Sequence, residues 1–170
     1  MWERVARLSE PDEGGVSKDR ALLTESELQA WGERIGREAE TPMILALRGD
    51  LGAGKTTLAR AIARGAGMEG PVPSPTFNLL FVYEASRGRR LYHLDLYRLE
   101  RQDDVWELGW AELGTGPDLV LIEWPEHAEM ILPRTRWDVE LEEVDDPERR
   151  RVRVEAIGGP PPLPPFGVGS

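Results

Sequence analysis

Cysteine is absent from the 170 residues, which removes disulfides, zinc-thiolate sites and thiol nucleophiles. Histidine occurs only at His93 and His127, too few for a histidine-built metal cluster. No run reaches the ~18 consecutive apolar residues of a membrane-spanning helix. The start, Met1 to Arg4, lacks the basic-then-apolar pattern of a secretory leader. The expectation is a cytoplasmic protein with no membrane partner. Positive charge is scarce: 21 Lys and Arg face 31 Asp and Glu, a formal net charge of -10. Such a field repels polyanions, so autonomous RNA or DNA binding is disfavoured. Lysine stands only at Lys18 and Lys55, and asparagine only at Asn78. What is plentiful is ordinary: 40% apolar and 31% charged residues in 170 read as one globular domain of ordinary size over residues 1–157. Its first 20 residues are poorly defined, and a Pro/Gly-rich flexible tail follows at 158–170.

Along the chain, Trp2, Val5 and Leu8 form a short apolar alternation that could add an edge strand. Thr24 with Glu27 three residues on is a capping box, and Leu28, Trp31 and Ile35 recur at helical spacing, predicting a helix over 25–38. Met43 to Leu47 is a continuous apolar run before a glycine-rich turn, the pattern of a strand buried on both faces of a parallel sheet. A second helix follows from Lys55 to about Ala66. Residues 67–76 form a Gly/Pro-rich loop. Asn78 to Ala85 and Arg90 to Leu96 read as an antiparallel hairpin, residues 101–108 as a short helix, and Asp118 to Ile122 as a second buried strand ending at Glu123. Trp137 to Val144 and Arg151 to Ala156 alternate around Asp146 and Pro147, a further hairpin placed near the sheet edge. From Gly158 the sequence GGPPPLPPFGVGS has no helical or strand period and reads as a flexible or polyproline tail rather than a docking motif.

Gly49, Asp50, Leu51, Gly52, Ala53, Gly54, Lys55 and Thr56 fit Gly-x-x-x-x-Gly-Lys-Ser/Thr between a buried strand and a helix, the context this motif requires. Glycines let backbone N–H groups turn inward around an anion, the helix N-terminus adds its dipole, and Lys55 brings a point charge for β and γ phosphates. The Thr56 hydroxyl can then reach Mg2+. Phosphoryl chemistry also needs a carboxylate for the metal and one for the attacking water, from the ends of neighbouring strands. Glu123 and Asp95 are the two candidates. Ser74, Pro75 and Thr76 occupy the loop where a γ-phosphate-sensing threonine is often found. His93 shares a strand face with Asp95 and reads as a packed imidazole beside the site. Trp124 either packs in the core or covers the site, and Arg98 is either a charge stabiliser or a surface ion-pair partner. A single asparagine rules out the Asn-Lys-x-Asp guanine reader, so ATP is the expected nucleotide. A small-molecule kinase remains open at this point.

The motifs GDLGAGKTT (Gly49 to Thr57), SPTF (Ser74 to Phe77), HLDLYRL (His93 to Leu99) and IEWPE (Ile122 to Glu126), in this order, closely resemble the bacterial TsaE (YjeE) family, over residues 22 to 157. The resemblance implies a P-loop NTPase-like three-layer α/β/α fold with a mixed, centrally parallel sheet and antiparallel hairpins. It also implies a small ATPase of tRNA threonylcarbamoyladenosine biosynthesis that binds ATP and Mg2+, hydrolyses slowly alone, and serves the TsaD–TsaB transferase complex acting on adenosine 37 of tRNAs reading codons that begin with A. By the same resemblance Lys55 contacts phosphates, Thr56 and Glu123 hold Mg2+, and Asp95 serves the hydrolytic site. Thr57 reaches the α-phosphate, Thr76 belongs to a switch-like loop, and Trp124 lies beside the nucleotide. The tRNA would be held through the partners, consistent with the acidic charge. In two respects the chain departs from, or does not resolve, the family pattern. Leu28 stands where the family often has a threonine near the base, and Arg149, Arg150 and Arg151 all qualify as the arginine before the last strand. Against the ATPase stands a nucleotide-dependent binding switch in which hydrolysis is incidental.

Overall fold

A computed structural model describes residues 18–69 and 79–167. The alternation at Trp2, Val5 and Leu8, and the Ser74 to Thr76 segment with Asn78, lie outside the described residues. Among the described residues seven strands form one sheet: β1 (Lys18–Thr24), β2 (Met43–Arg48), β3 (Leu80–Glu84), β4 (Arg90–Asp95), β5 (Asp118–Glu123), β6 (Arg136–Glu143) and β7 (Arg149–Ile157), in the order β1-β7-β6-β2-β5-β4-β3. The four central strands β6, β2, β5 and β4 are mutually parallel, while β1, β7 and β3 join antiparallel. The mixed, centrally parallel α/β fold is therefore present. The β6–β7 hairpin lies near one edge of the sheet, as its polar alternation predicts. β6 pairs in parallel with β2 beside the sheet centre, and β1, a strand the sequence reading stopped short of, closes that side.

β2 and β5 alternate between two cores, which explains their unbroken apolar sequence. Met43, Leu45, Leu47, Leu119 and Leu121 face one core, and Ile44, Val120 and Ile122 face the other. The first core is covered by α1 (Glu25–Glu38) and α2 (Lys55–Gly65). The second lies under 3-10 segments Gln102–Leu108, Trp110–Glu112 and Pro125–Ile131, so the third layer consists of tight turns rather than long helices.

The α1 N-terminus is closed by the expected capping box: the Glu27 N–H donates to the Thr24 hydroxyl at 3.3 Å, and the Thr24 N–H donates to the Glu27 carboxylate at 2.8 Å. A cap of this kind contributes about 1 kcal/mol. Its buried stripe is Leu28, Trp31, Gly32, Ile35 and Gly36. The glycines let the two helix backbones touch. A Cβ on Gly36 would stand 2.0 Å from the Ile62 carbonyl oxygen, and one on Gly65 would stand 1.9 Å from that of Glu33. The tail also departs from expectation: its described part, 158–167, lies on the domain, with Leu163 and Phe166 packed against the first core.

In an exposed helix interior Gly→Ala stabilises by about 1 kcal/mol. Here the close approach reverses the sign. Gly36→Ala is expected to cost about 3 kcal/mol through overpacking, lowering Tm by roughly 6–12 °C in thermal denaturation. An unchanged or raised Tm would contradict the backbone contact.

Candidate functional site

The site lies at the C-terminal ends of β2, β5 and β4, where open α/β sheets place their ligands. Leu47 of β2 is in register with Glu123 of β5, and Glu123 with Asp95 of β4. Parallel pairing thus brings three separated motifs to one sheet end. Between β2 and α2 the loop turns through left-handed glycines, with φ of 142° at Gly49, 82° at Gly52 and 110° at Gly54. A side chain at Gly49 would collide with the Leu141 carbonyl oxygen at 2.4 Å. Gly54 caps α2 without a side-chain hydrogen bond, so the first N–H groups of the helix have no side-chain cap, the arrangement that binds anions. Asp50 and Leu51 sit at the exposed loop tip, while Ala53 is buried and pins the turn through its N–H to the Asp50 carbonyl at 3.0 Å.

Glu123 is 1% exposed. One carboxylate oxygen accepts from the Thr56 hydroxyl at 2.9 Å and the other from His93 Nε2 at 2.6 Å. His93, expected as a packed imidazole, orients Glu123. Thr56 and Glu123 together are the pair of hard oxygens that a divalent cation takes alongside phosphate oxygens. Asp95, half-buried beside them, accepts the Tyr97 N–H at 3.0 Å. Burial raises its carboxyl above the ordinary range, with the Glu123 charge adding to the effect and the Tyr97 bond, His93 and Lys55 opposing it.

Lys55 is buried and donates to the carbonyls of Gly49 and, at 3.2 Å, Asp50. Burial lowers its pKa, against the raising pull of Glu123, Glu126, Asp95 and Asp50. The Trp124 ring lies over its ammonium at 3.5 Å and also packs against the second core, so both readings of this residue hold. Trp124 adopts φ 56°, ψ 49°, rare for a bulky residue. Its ring packs with Tyr97 and His127, centroids 4.9 and 6.2 Å away, and His127 Nδ1 bonds the Leu96 carbonyl at 2.6 Å. At the root of the loop Arg48 forms a fork to Glu129 at 2.8 and 3.0 Å and reaches Asp138 at 3.3 Å. Sequence reasoning missed this tie. Its partners lie 81 and 90 residues away, and only the position of Arg48 beside Gly49 hinted at it.

A cleft of about 490 Å³ opens on the other side of the loop. Gly52, Gly54 and Thr57 form its loop side, Thr24, Glu25, Ser26 and Leu28 its α1 wall, and Pro147, Glu148 and Arg150 its far rim. Of the three arginine candidates, Arg150 is the one at the cleft, while Arg149 pairs with Asp146 and Arg151 with Glu142. Leu28 gives the cleft an apolar patch, as its departure from threonine requires. Arg98 is on the exposed segment after β4, and Thr76 lies outside the described residues.

The raised pKa of Asp95 has a stability consequence. Between the ordinary carboxyl value and the raised one, the folded chain holds a proton that the unfolded chain has lost, so stability falls as pH rises through that window and the cost persists above it. Asp95→Asn should therefore raise Tm at pH 7, and the gain should shrink as pH falls through that window and be gone below about 4. Thermal melts of both proteins across pH 3–8 check this, and a lowered Tm at pH 7 would refute it.

The model of the family described as "Threonylcarbamoyl adenosine biosynthesis protein TsaE" matches residues 22–152. A Treponema pallidum protein named tRNA threonylcarbamoyladenosine biosynthesis protein TsaE is 38% identical over 120 residues, covering 70% of this chain and 87% of the relative. A Rickettsia conorii protein of the same name is 39% identical over 129 residues, covering 75% and 73%. Among solved structures, Bacillus subtilis YdiB superposes with a TM-score of 0.67 at 29% identity, covering 89% of this chain and 88% of that one. The match begins in β1 and ends in β7, spanning the glycine loop, the two strand-end carboxylates and the residues that line the cleft: this chain belongs to the TsaE family.

Proposed function

We propose that this protein is a Mg2+-dependent ATPase of tRNA threonylcarbamoyladenosine biosynthesis that works in the cytoplasm with the TsaD–TsaB transferase complex and meets tRNA only through those partners. The observation that supports this best is the Thr56–Glu123 hydrogen bond, 2.9 Å, beside the Lys55 ammonium and the capless N-terminus of α2. That arrangement fits a nucleoside triphosphate with its metal. The polyphosphate would be held by the loop N–H groups and Lys55, with the nucleoside in the cleft between Leu28 and Arg150. Mg2+, held by Thr56 and Glu123, would neutralise charge on the β and γ oxygens. Asp95 is the group for the attacking water: it orients the water and accepts its proton as the water oxygen bonds to the γ-phosphorus and the bond to the bridging β–γ oxygen breaks. Its raised pKa suits it to receive that proton. His93 keeps the Glu123 carboxylate aimed, and Trp124 shields Lys55 from water, which strengthens the charge interactions. A net charge of -10 fits a protein that leaves tRNA binding to others.

Hydrolysis of ATP by the purified chain, alone and with the transferase partners and tRNA, tests this reading. Asp95→Asn is expected to lower turnover by about 10²–10⁴-fold, with nucleotide affinity retained. Lys55→Ala should lose both binding and partner-stimulated turnover. Full activity in either variant would overturn the site assignment. Repeated tRNA modification sustained by Asp95→Asn would assign the role to nucleotide occupancy instead of hydrolysis.

Trp124 carries a separate test. An aromatic face over a buried ammonium contributes about 0.5–2 kcal/mol. Trp124→Phe should keep most of the nucleotide affinity, whereas Trp124→Leu, which is also apolar, should weaken it roughly 3- to 20-fold. Equal effects of the two substitutions would show that the ring acts by bulk alone.

A further inference from the structure

The proline-rich segment 158–167 lies beyond the family match, which ends at residue 152, and the nucleotide chemistry does not use it. It leaves β7 through Gly158 and Gly159, both left-handed with φ of 69° and 71°. A Cβ at Gly158 would stand 2.2 Å from the Arg134 carbonyl oxygen, so glycine is required for the chain to turn back there. Beyond the turn, exposure repeats every third residue: Gly159, Pro162 and Pro165 face solvent, while Pro160, Pro161, Leu163, Pro164 and Phe166 are half-buried. Three residues is the repeat of a polyproline II helix.

Two tryptophans read this segment. Trp137 Nε1 donates to the Pro161 carbonyl at 2.8 Å, and Trp31 Nε1 to the Pro164 carbonyl at 2.9 Å. The acceptors are one polyproline II turn apart. The Phe166 ring packs on Trp31 with centroids 4.8 Å apart, and the Arg34 guanidinium bonds the Gly167 carbonyl. Indole donors bonding proline carbonyls across an aromatic surface are how polyproline-binding modules hold their ligands. Proline segments suit such sites because little conformational freedom is left to lose.

We propose that Trp31, Trp137 and Arg34 form a polyproline-recognition groove whose ligand is this chain's own segment 160–167, and that docking of this segment braces the nucleotide cleft. The brace is α1. Leu28, Trp31 and Arg34 follow one another at three-residue steps along that helix, the first in the cleft wall and the other two under the tail. A docked tail holds the helix that carries the wall, and by reciprocity a nucleotide in the cleft tightens the tail. The bracing half of this inference rests on the ATP-binding reading, while the groove itself does not.

The test uses the full chain and Leu163→Ser/Phe166→Ser, which replaces no residue that lines the cleft. Gly158→Ala serves as a second variant that misdirects the tail at its root. Two readouts are followed: hydrogen exchange of the Trp31 and Trp137 indole N–H by NMR without nucleotide, and the Kd for a non-hydrolysable ATP analogue with Mg2+. In the unmodified chain both indoles should exchange slowly. Both variants should exchange at least tenfold faster and bind the analogue roughly 5-fold or more weakly, the lower end of typical coupling between sites. A synthetic peptide of residues 158–170 should restore both properties to the double variant. Fast indole exchange in the unmodified chain overturns the groove. Unchanged analogue affinity with deprotected indoles overturns the brace. Failure of the unmodified chain to bind the analogue, with slow indoles, overturns the nucleotide reading and the brace with it, and leaves the groove standing.

Discussion

A carboxylate that is 1% exposed must have donors on its oxygens or destabilise the fold by several kcal/mol. Glu123 obtains them from two different places: a hydroxyl on α2 and an imidazole on β4. Satisfying this one group therefore fixes the first turn of α2 and the end of β4 against the end of β5. The glycine loop, Lys55 and Asp95 take their positions from those same three elements. The site closes the hydrogen-bonding of a buried carboxylate, in a sheet whose strands β2 and β5 have no solvent face.

α1 has an equally constraining role. Its glycine stripe brings it against the backbone of α2, its first turn forms one wall of the cleft, and its middle turns support the proline-rich segment. One helix thus touches α2, the cleft and the tail at once. The α1–α2 contact has little compliance, since backbone atoms rather than flexible side chains meet there.

Some costs are kept where chemistry needs them. Asp95 holds a carboxyl whose ionisation burial opposes, Lys55 an ammonium under the same penalty, and Trp124 a left-handed backbone. Each departs from what would best stabilise the fold, and all three converge within one sheet end. Strain and displaced titration gathered in this way are the mark of a site selected for function over stability. The compensating terms lie elsewhere, in the capping box of α1 and in two well-filled cores.

The sequence alone determined what neighbouring residues decide among themselves. The capping box and apolar spacing placed α1 at residues 25–38, the glycine pattern located the anion loop, and unbroken apolar runs identified β2 and β5 with Glu123 at the end of one. Each is a signal carried within a few residues, where period, turn and cap are set by local geometry. Tertiary structure decided everything that depends on partners far along the chain. β1 was unread because its partners in β7 lie about 130 residues away, and the alternation that put the β6–β7 hairpin near an edge does not say which strand lies beside it. The same holds for Arg48 with Glu129, for Trp124 over Lys55, and for the choice of Arg150 among three adjacent arginines. The tail is the clearest instance: a proline-rich string has no period that reports burial, and its place depends on two indole N–H groups, 24 and 133 residues away, that only the folded domain brings to one surface.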